Sequence, residues 1–155
     1  MKIVVVTDSH HRYRLLEDIQ MANQKADVFI HCGDFESMDR LPNGWLAVKG
    51  NNDFYVDLPE ERVLTLDDVK ILVTHSHQYF YSSRHRDLRE KAKKLGCKVV
   101  CFGHTHSTYI KEVEGIWLVN PGSLLYNRDA SPCGYALITI EKGEVITVEK
   151  KSVVL

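Results

Sequence analysis

Seven side chains able to hold a metal stand in short clusters along this chain. They are Asp8 and His10 in Thr-Asp-Ser-His, Asp34 in His-Cys-Gly-Asp, Asn51 in Gly-Asn-Asn-Asp, His75 in Thr-His-Ser-His, and His104 with His106 in Gly-His-Thr-His. A single Asp-x-His carries little weight, because Asp, Asn and Gly are ordinary turn residues. Five clusters in one chain, each behind an apolar run, are what a two-metal phosphoester-cleaving site needs. Asp8 and His10 are two residues apart, so in extended backbone they point to the same side and can share one ion, and His104 and His106 repeat the pattern. Gly33 allows a sharp turn that leaves the Asp34 carboxylate at a strand tip. Its two oxygens can bridge two cations, and the neutral amide oxygen of Asn51 limits the negative charge.

The donors are all oxygen or imidazole nitrogen, with no thiolate. That mixture suits Mn²⁺, and equally admits Fe, Zn²⁺, Co²⁺ or Ni²⁺, better than Ca²⁺. Two such ions about 3.5–4 Å apart clamp a phosphate and lower the pKa of a bound water to near 7.

These residues need a scaffold that collects strand ends. Ile3 to Val6, Val28 to Cys32, Trp45 to Val48 and Val99 to Phe102 read as buried strands. Tyr13 to Gln24 reads as a helix with Leu15, Ile19 and Ala22 on its apolar face. Arg84 to Leu95 reads as a second, with Leu88, Ala92 and Leu95 inward and Gly96 as its stop. Arg62 to Leu66 and Lys70 to Thr74 flank an Asp67-Asp68 turn. Tyr109 to Val113 with Ile116 to Val119, and Tyr135 to Ile140 with Val145 to Glu149, read as hairpins. The expectation is one α/β domain over residues 1–155, two mixed sheets packed face to face with helices outside. In such sheets ligands collect beyond the carboxyl ends of the strands, where Asp8, Asp34, Asn51 and His104 fall.

In this order the motifs Asp-x-His, Gly-Asp, Gly-Asn-x-Asp, Thr-His-x-His and Gly-His-x-His resemble those of the calcineurin-like metallophosphoesterase family. With the Asn120-Pro121-Gly122-Ser123 segment, the chain is similar to the small bacterial and archaeal phosphodiesterases of that family. The resemblance implies a four-layer αββα sandwich. It implies one metal on Asp8, His10 and His106, another on Asn51, His75 and His104, and Asp34 bridging. It points to His75 rather than His77, and to a catalytic group of Asn52, Asp53 and His75. Three positions depart from the pattern: Asn52 where His or Cys is usual, and His11 and Ser76 where Gly is common. A His at position 52 would serve as general acid or steady the phosphate, with Asp53 orienting it. An amide cannot donate a proton that way.

The formal charge of −1 gives no electrostatic reason to expect nucleic acid. No apolar run reaches the roughly 18 residues of a membrane span. Met1 to Asp8 reads as a first strand rather than a signal peptide. Without an export signal, Cys32, Cys97, Cys101 and Cys133 are expected reduced in a cytoplasmic protein. His31 is expected to be hydrogen-bonded within its strand, Trp45 and Trp117 to belong to the core, and His77 to be a possible lining residue of the site. Arg84 to Lys91 reads as a solvated helix face, with phosphate steering by Arg84 or Arg86 as the alternative. The leading function is a metal-dependent phosphodiesterase acting on a small phosphoester at an open site. A nuclease and a catalytically inactive protein-binding scaffold are the rivals, and self-association through a hairpin edge is open.

Overall fold

A computed structural model describes residues 1–38 and 40–153. The strands are β1 (Lys2–Val6), β2 (Val28–His31), β3 (Trp45–Ala47), β4 (Glu61–Leu66), β5 (Val69–Thr74), β6 (Val99–Cys101), β7 (Tyr109–Val113), β8 (Ile116–Asn120), β9 (Gly134–Glu141) and β10 (Glu144–Ser152). The helices are α1 (Tyr13–Ala22) and α2 (Arg84–Leu95), with a 3-10 turn at Tyr81–Ser83 that the sequence did not announce.

The strands form two five-stranded mixed sheets, ordered β10-β9-β1-β2-β3 and β4-β5-β6-β8-β7. β1, β2 and β3 run parallel in the first, and β5, β6 and β8 in the second. Because side chains alternate across a strand, each sheet has two apolar faces. Ile3, Val5, Ile30, Ile71, Val73, Val99, Val119 and Ile138 meet between the sheets. Val4, Val6, Leu16, Ile19 and Trp45 form the α1 layer, and Leu72, Leu88, Ala92, Val100 and Leu118 the α2 layer. The result is the four-layer αββα sandwich expected. Trp45 is buried and Trp117 packs at the inter-sheet core.

The hairpin turns carry positive φ, at Asp67-Asp68, Glu114-Gly115 and Lys142-Gly143, the geometry that matches strand twist. Gly96 ends α2 at φ 75°. Two details of the sequence reading need correction. The buried face of α1 is Leu16 and Ile19, with Ala22 exposed; a helix this short follows the sheet it covers rather than its best apolar stripe. Arg84 is not solvated but 7% exposed. Its Nε and Nη2 donate to the carbonyls of Ser76 and Tyr79, both at 3.3 Å. The four cysteines are free thiols, and no helix among the described residues is long and apolar enough to cross a membrane.

Candidate metal centre

The parallel strands of both sheets end at one edge, and the polar clusters leave from there. The loops after β1 and β2 continue to pair beyond the sheet: Asp8 N donates to Gly33 O at 3.0 Å and His10 N to Asp34 O at 3.1 Å. The segment after β8 joins the sheets, with Ser123 Oγ donating to Asp8 O at 2.9 Å and Leu124 N to the same oxygen at 3.2 Å. Close approach fixes two glycines. A Cβ at Gly103 would lie 1.9 Å from Thr7 Oγ1, and one at Gly50 would lie 2.2 Å from Asp34 Oδ1.

Asp8, His10, His11, Asp34, Glu36, Ser76, His104 and His106 all adopt positive φ, between 39° and 79°. Left-handed backbone costs a non-glycine residue about 1–2 kcal/mol, and such strain gathers at functional sites. This explains why glycine suits positions 11 and 76: their φ values are 64° and 79°.

Asp8 is fully buried. Its Oδ2 accepts from Thr7 Oγ1 at 2.7 Å and His104 N at 3.0 Å. Its Oδ1 has no hydrogen-bond partner and faces three imidazole nitrogens: His106 Nε2 at 3.4 Å, His10 Nε2 at 3.7 Å and His75 Nε2 at 3.8 Å. His10 Nε2 and His106 Nε2 are 3.1 Å apart. His75 Nδ1–H donates to Cys32 O at 2.9 Å, so its lone pair sits on Nε2, which is buried, unpartnered, and 3.4 Å from Asp34 Oδ2. Asp8–His10–His106 and Asp8–Asp34–His75 each bring three ligand atoms within 4.8 Å of one another. Buried orphan atoms of both donor types, aimed at one space, fit a cation and nothing the protein itself supplies.

Burial pushes the Asp34 carboxyl up, yet His75 and the Asn52 N–H groups outweigh it and hold it well below the usual carboxylate range. Burial likewise pushes His75 down, but Asp34 and Asp8 leave its pKa raised. The same field attracts a cation, which competes with that proton. His104 moves to about 4, through burial and the charges of His75 and Arg84. Its ring stands 5.1 Å from that of His75. His77 also borders the cluster, its ring 5.5 Å from that of His75.

Asn51 and Asn52 behave differently. Asn51 is exposed and lines a cavity of about 260 Å³ with His10, Asp34, His104 and His106. Asn52 is held on Asp34, its backbone N donating to Oδ1 and its Nδ2 to Oδ2, both at 2.9 Å. Asp53 is buried, and its carboxylate accepts four backbone N–H groups: Asp34 and Gly50 at 2.8 Å, Phe35 and Glu36 at 3.1 Å. It positions the loop that carries Asp34 and does not face the cavity.

The sequence reading overlooked Glu36, whose carboxylate accepts from His10 Nδ1–H and which groups with His10 and Asp34 as ligand atoms. Such a partner fixes the tautomer of a ligating imidazole. Glu36 lies two residues after Asp34, the only signal for it. Ser9 is the other omission. His31 Nε2–H donates to Ser9 Oγ at 2.8 Å and His31 Nδ1 accepts Gly33 N–H at 3.0 Å, which ties the first two loops together.

Buried this way, His31 is neutral, its pKa lowered to about 3, by burial first. The unfolded chain takes up this proton near pH 6.5, so His31 costs stability as pH falls from there toward 3, by about 1.4 kcal/mol per pH unit. In chelator-treated protein, urea midpoints at pH 6 and 4 should fall more steeply for wild type than for His31→Gln. Equal slopes would mean that His31 charges in the folded protein.

Two mixed sheets between helices bring Asp, His and Asn donors to their shared strand-end edge, the arrangement of a candidate metal centre. The chain belongs to the calcineurin-like phosphoesterase superfamily, whose domain model matches residues 1–143. It is 35% identical over 144 residues to the probable metallophosphoesterase YsnB of Bacillus subtilis, covering 91% of this chain and 85% of that protein. It is 31% identical to the phosphodiesterase MJ0936 of Methanocaldococcus jannaschii, covering 97% and 95%. The structure is similar to that of a predicted phosphoesterase from Streptococcus pneumoniae, with a TM-score of 0.80, 30% identity, and 90% and 83% of the two chains covered.

Proposed function

We propose that this protein is a metal-dependent phosphodiesterase that hydrolyses small phosphodiesters, holding two divalent cations among Asp8, His10, Asp34, Asn51, His75, His104 and His106. The observation that carries this reading is the pair of buried, unpartnered ligand atoms, Asp8 Oδ1 and His75 Nε2, within one knot of imidazoles and carboxylates. Oxygen and imidazole donors suit Mn²⁺, and admit Fe, Zn²⁺, Co²⁺ or Ni²⁺. When bound, such cations polarise the phosphoryl group and supply a water acidic enough to attack at neutral pH.

The chain's own residues orient and hold. Glu36 keeps the His10 proton on Nδ1, and Cys32 O does the same for His75, so both Nε2 lone pairs are free for ligation. Asp53 fixes the loop of Asp34, and Asn52 fixes its carboxylate. Asn51 presents its amide on the open side. An unpaired buried carboxylate oxygen costs stability unless something fills the space, which supports a bound cation; turnover separates an enzyme from a scaffold that holds metal.

The test is hydrolysis of bis(p-nitrophenyl) phosphate and p-nitrophenyl phosphate with Mn²⁺, Fe²⁺, Co²⁺, Ni²⁺ or Zn²⁺ added to chelated protein. Metal-dependent turnover, faster on the diester, is expected. Inactivity with every metal would favour the scaffold.

Because the Asn52 amide binds Asp34 rather than reaching for a leaving group, Asn52→Ala should slow aryl and alkyl phosphodiesters alike. The expected loss is about ten-fold in kcat/KM, one charge-assisted hydrogen bond's worth. A general acid would be revealed by a selective loss on the alkyl ester, which needs protonation most.

A further inference from the structure

We propose that the arginine-lined cavity beside the metal centre is a subsite for a second phosphate, so that the preferred substrate is a small diester that also carries a phosphomonoester. The inference rests on the phosphodiesterase reading and names its substrate class. The cavity, of about 740 Å³, is lined by Arg84, Arg86, Arg128, Thr105 and Ser107, with Tyr109 at one wall. No Asp or Glu lines it, although the chain carries 21 acidic residues against 20 basic ones. Three arginines line the cavity against two carboxylates at its margin, Asp87 beside Arg86 and Asp129 accepting from Thr108 N at 3.1 Å, which leaves a local excess of positive charge that the overall charge conceals.

Each arginine is placed for use. Arg84 is anchored through Nε and Nη2 by carbonyls, and its Nη1 takes no part in those bonds. Arg128 is exposed, and among the described residues neither it nor Arg84 has a carboxylate partner. Arg86 meets Asp87 only at 3.5 Å across an exposed edge. Planar guanidinium forks match phosphate oxygens, and lysine would match them less well. The start of α2 forms one wall of the cavity, where the Ser83 hydroxyl donates to Asp87 Oδ2 at 2.7 Å.

The cavity adjoins the centre through Arg128. Thr105 lies between His104 and His106, and Ser107 follows them. Arg128 lines both cavities, and its backbone N donates to His106 O at 2.8 Å. Consecutive Cα atoms are about 3.8 Å apart, so a diester at the donors has its remaining groups beside Thr105, Ser107 and Arg128, at the margin of the arginine-lined cavity.

The experiment compares the p-nitrophenyl ester of thymidine 5′-phosphate with the same ester carrying a 3′-phosphate, on the Mn²⁺-loaded protein. The 3′-phosphate should raise kcat/KM about ten-fold, mainly through KM. Arg86→Ala should reduce that ratio toward one. A wild-type ratio near one, or a ratio that survives in both Arg86→Ala and Arg128→Ala, overturns the subsite. Binding is read separately, from the Tm shifts given by thymidine 3′,5′-bisphosphate and thymidine 5′-monophosphate. A protein that cleaves neither ester yet prefers the bisphosphate loses the phosphodiesterase reading and keeps the subsite. One that prefers neither loses the subsite. Competition by an oligothymidylate that exceeds the bisphosphate and fades steeply with salt would assign the groove to nucleic acid instead.

Discussion

Asp34→Ala should lower kcat/KM for an aryl phosphodiester by about 10³-fold or more, the loss of roughly 4 kcal/mol of transition-state stabilisation. Asp34 is 2% exposed, stands 3.4 Å from His75 Nε2, and receives both N–H groups of Asn52. Removing it takes away the carboxylate that groups with Asp8 and His75, the one expected from the family resemblance to bridge the two ions. The fold should survive, because the substitution also removes one of two buried acids that face each other across His75. Circular dichroism of the variant should match wild type, while the rise in Tm on adding Mn²⁺ shrinks. A variant that keeps a tenth of the activity would remove Asp34 from the centre of the account.

Asp53→Ala should act through stability instead, by about 3–5 kcal/mol. One fully buried carboxylate satisfies four backbone donors, and each donor left unpaired costs about 1–3 kcal/mol before water relieves part of it. Urea denaturation of chelated protein gives the value. Activity should fall as well, since the loop in question carries Asp34 and Glu36, but Asp53→Asn should recover part of both losses by keeping one acceptor. If Asp53→Ala unfolds at the wild-type midpoint while activity disappears, the residue acts on substrate rather than on the loop.

The two variants separate what the sequence made legible from what it hid. The buried β-branched runs ending in Asp8, Asp34 and His104 locate both the sheets and the polar edge, because hydrophobic periodicity and ligand type are local properties. Helix α2 and the three hairpins follow from Gly96 and the turn residues for the same reason. The inward face of α1 does not, since Leu15 and Leu16 differ only in which of them the sheet covers.

At the site, the ligand types were plain and the supports were not. Asp53 and Asn52 sit together in one motif, yet one binds four backbone groups and the other the Asp34 carboxylate, a division that only the closure of loops 19 residues apart or fewer reveals. Glu36 looked like any surface acid until a left-handed backbone turned it toward His10. The arginine cavity was legible only in part, because phosphate steering by Arg84 or Arg86 was the alternative reading and not the leading one. Arg84 and Arg86 read as part of a solvated helix, and Arg128 is far from them in the chain.

The most direct measurement is a calorimetric titration of chelated protein with Mn²⁺, followed on the same sample by hydrolysis of bis(p-nitrophenyl) phosphate. Two ions should bind per chain, activity should rise with the second, and Asp34→Ala should lose at least one. Binding of no divalent ion by a correctly folded protein, or hydrolysis that persists unchanged in chelator, would contradict the account.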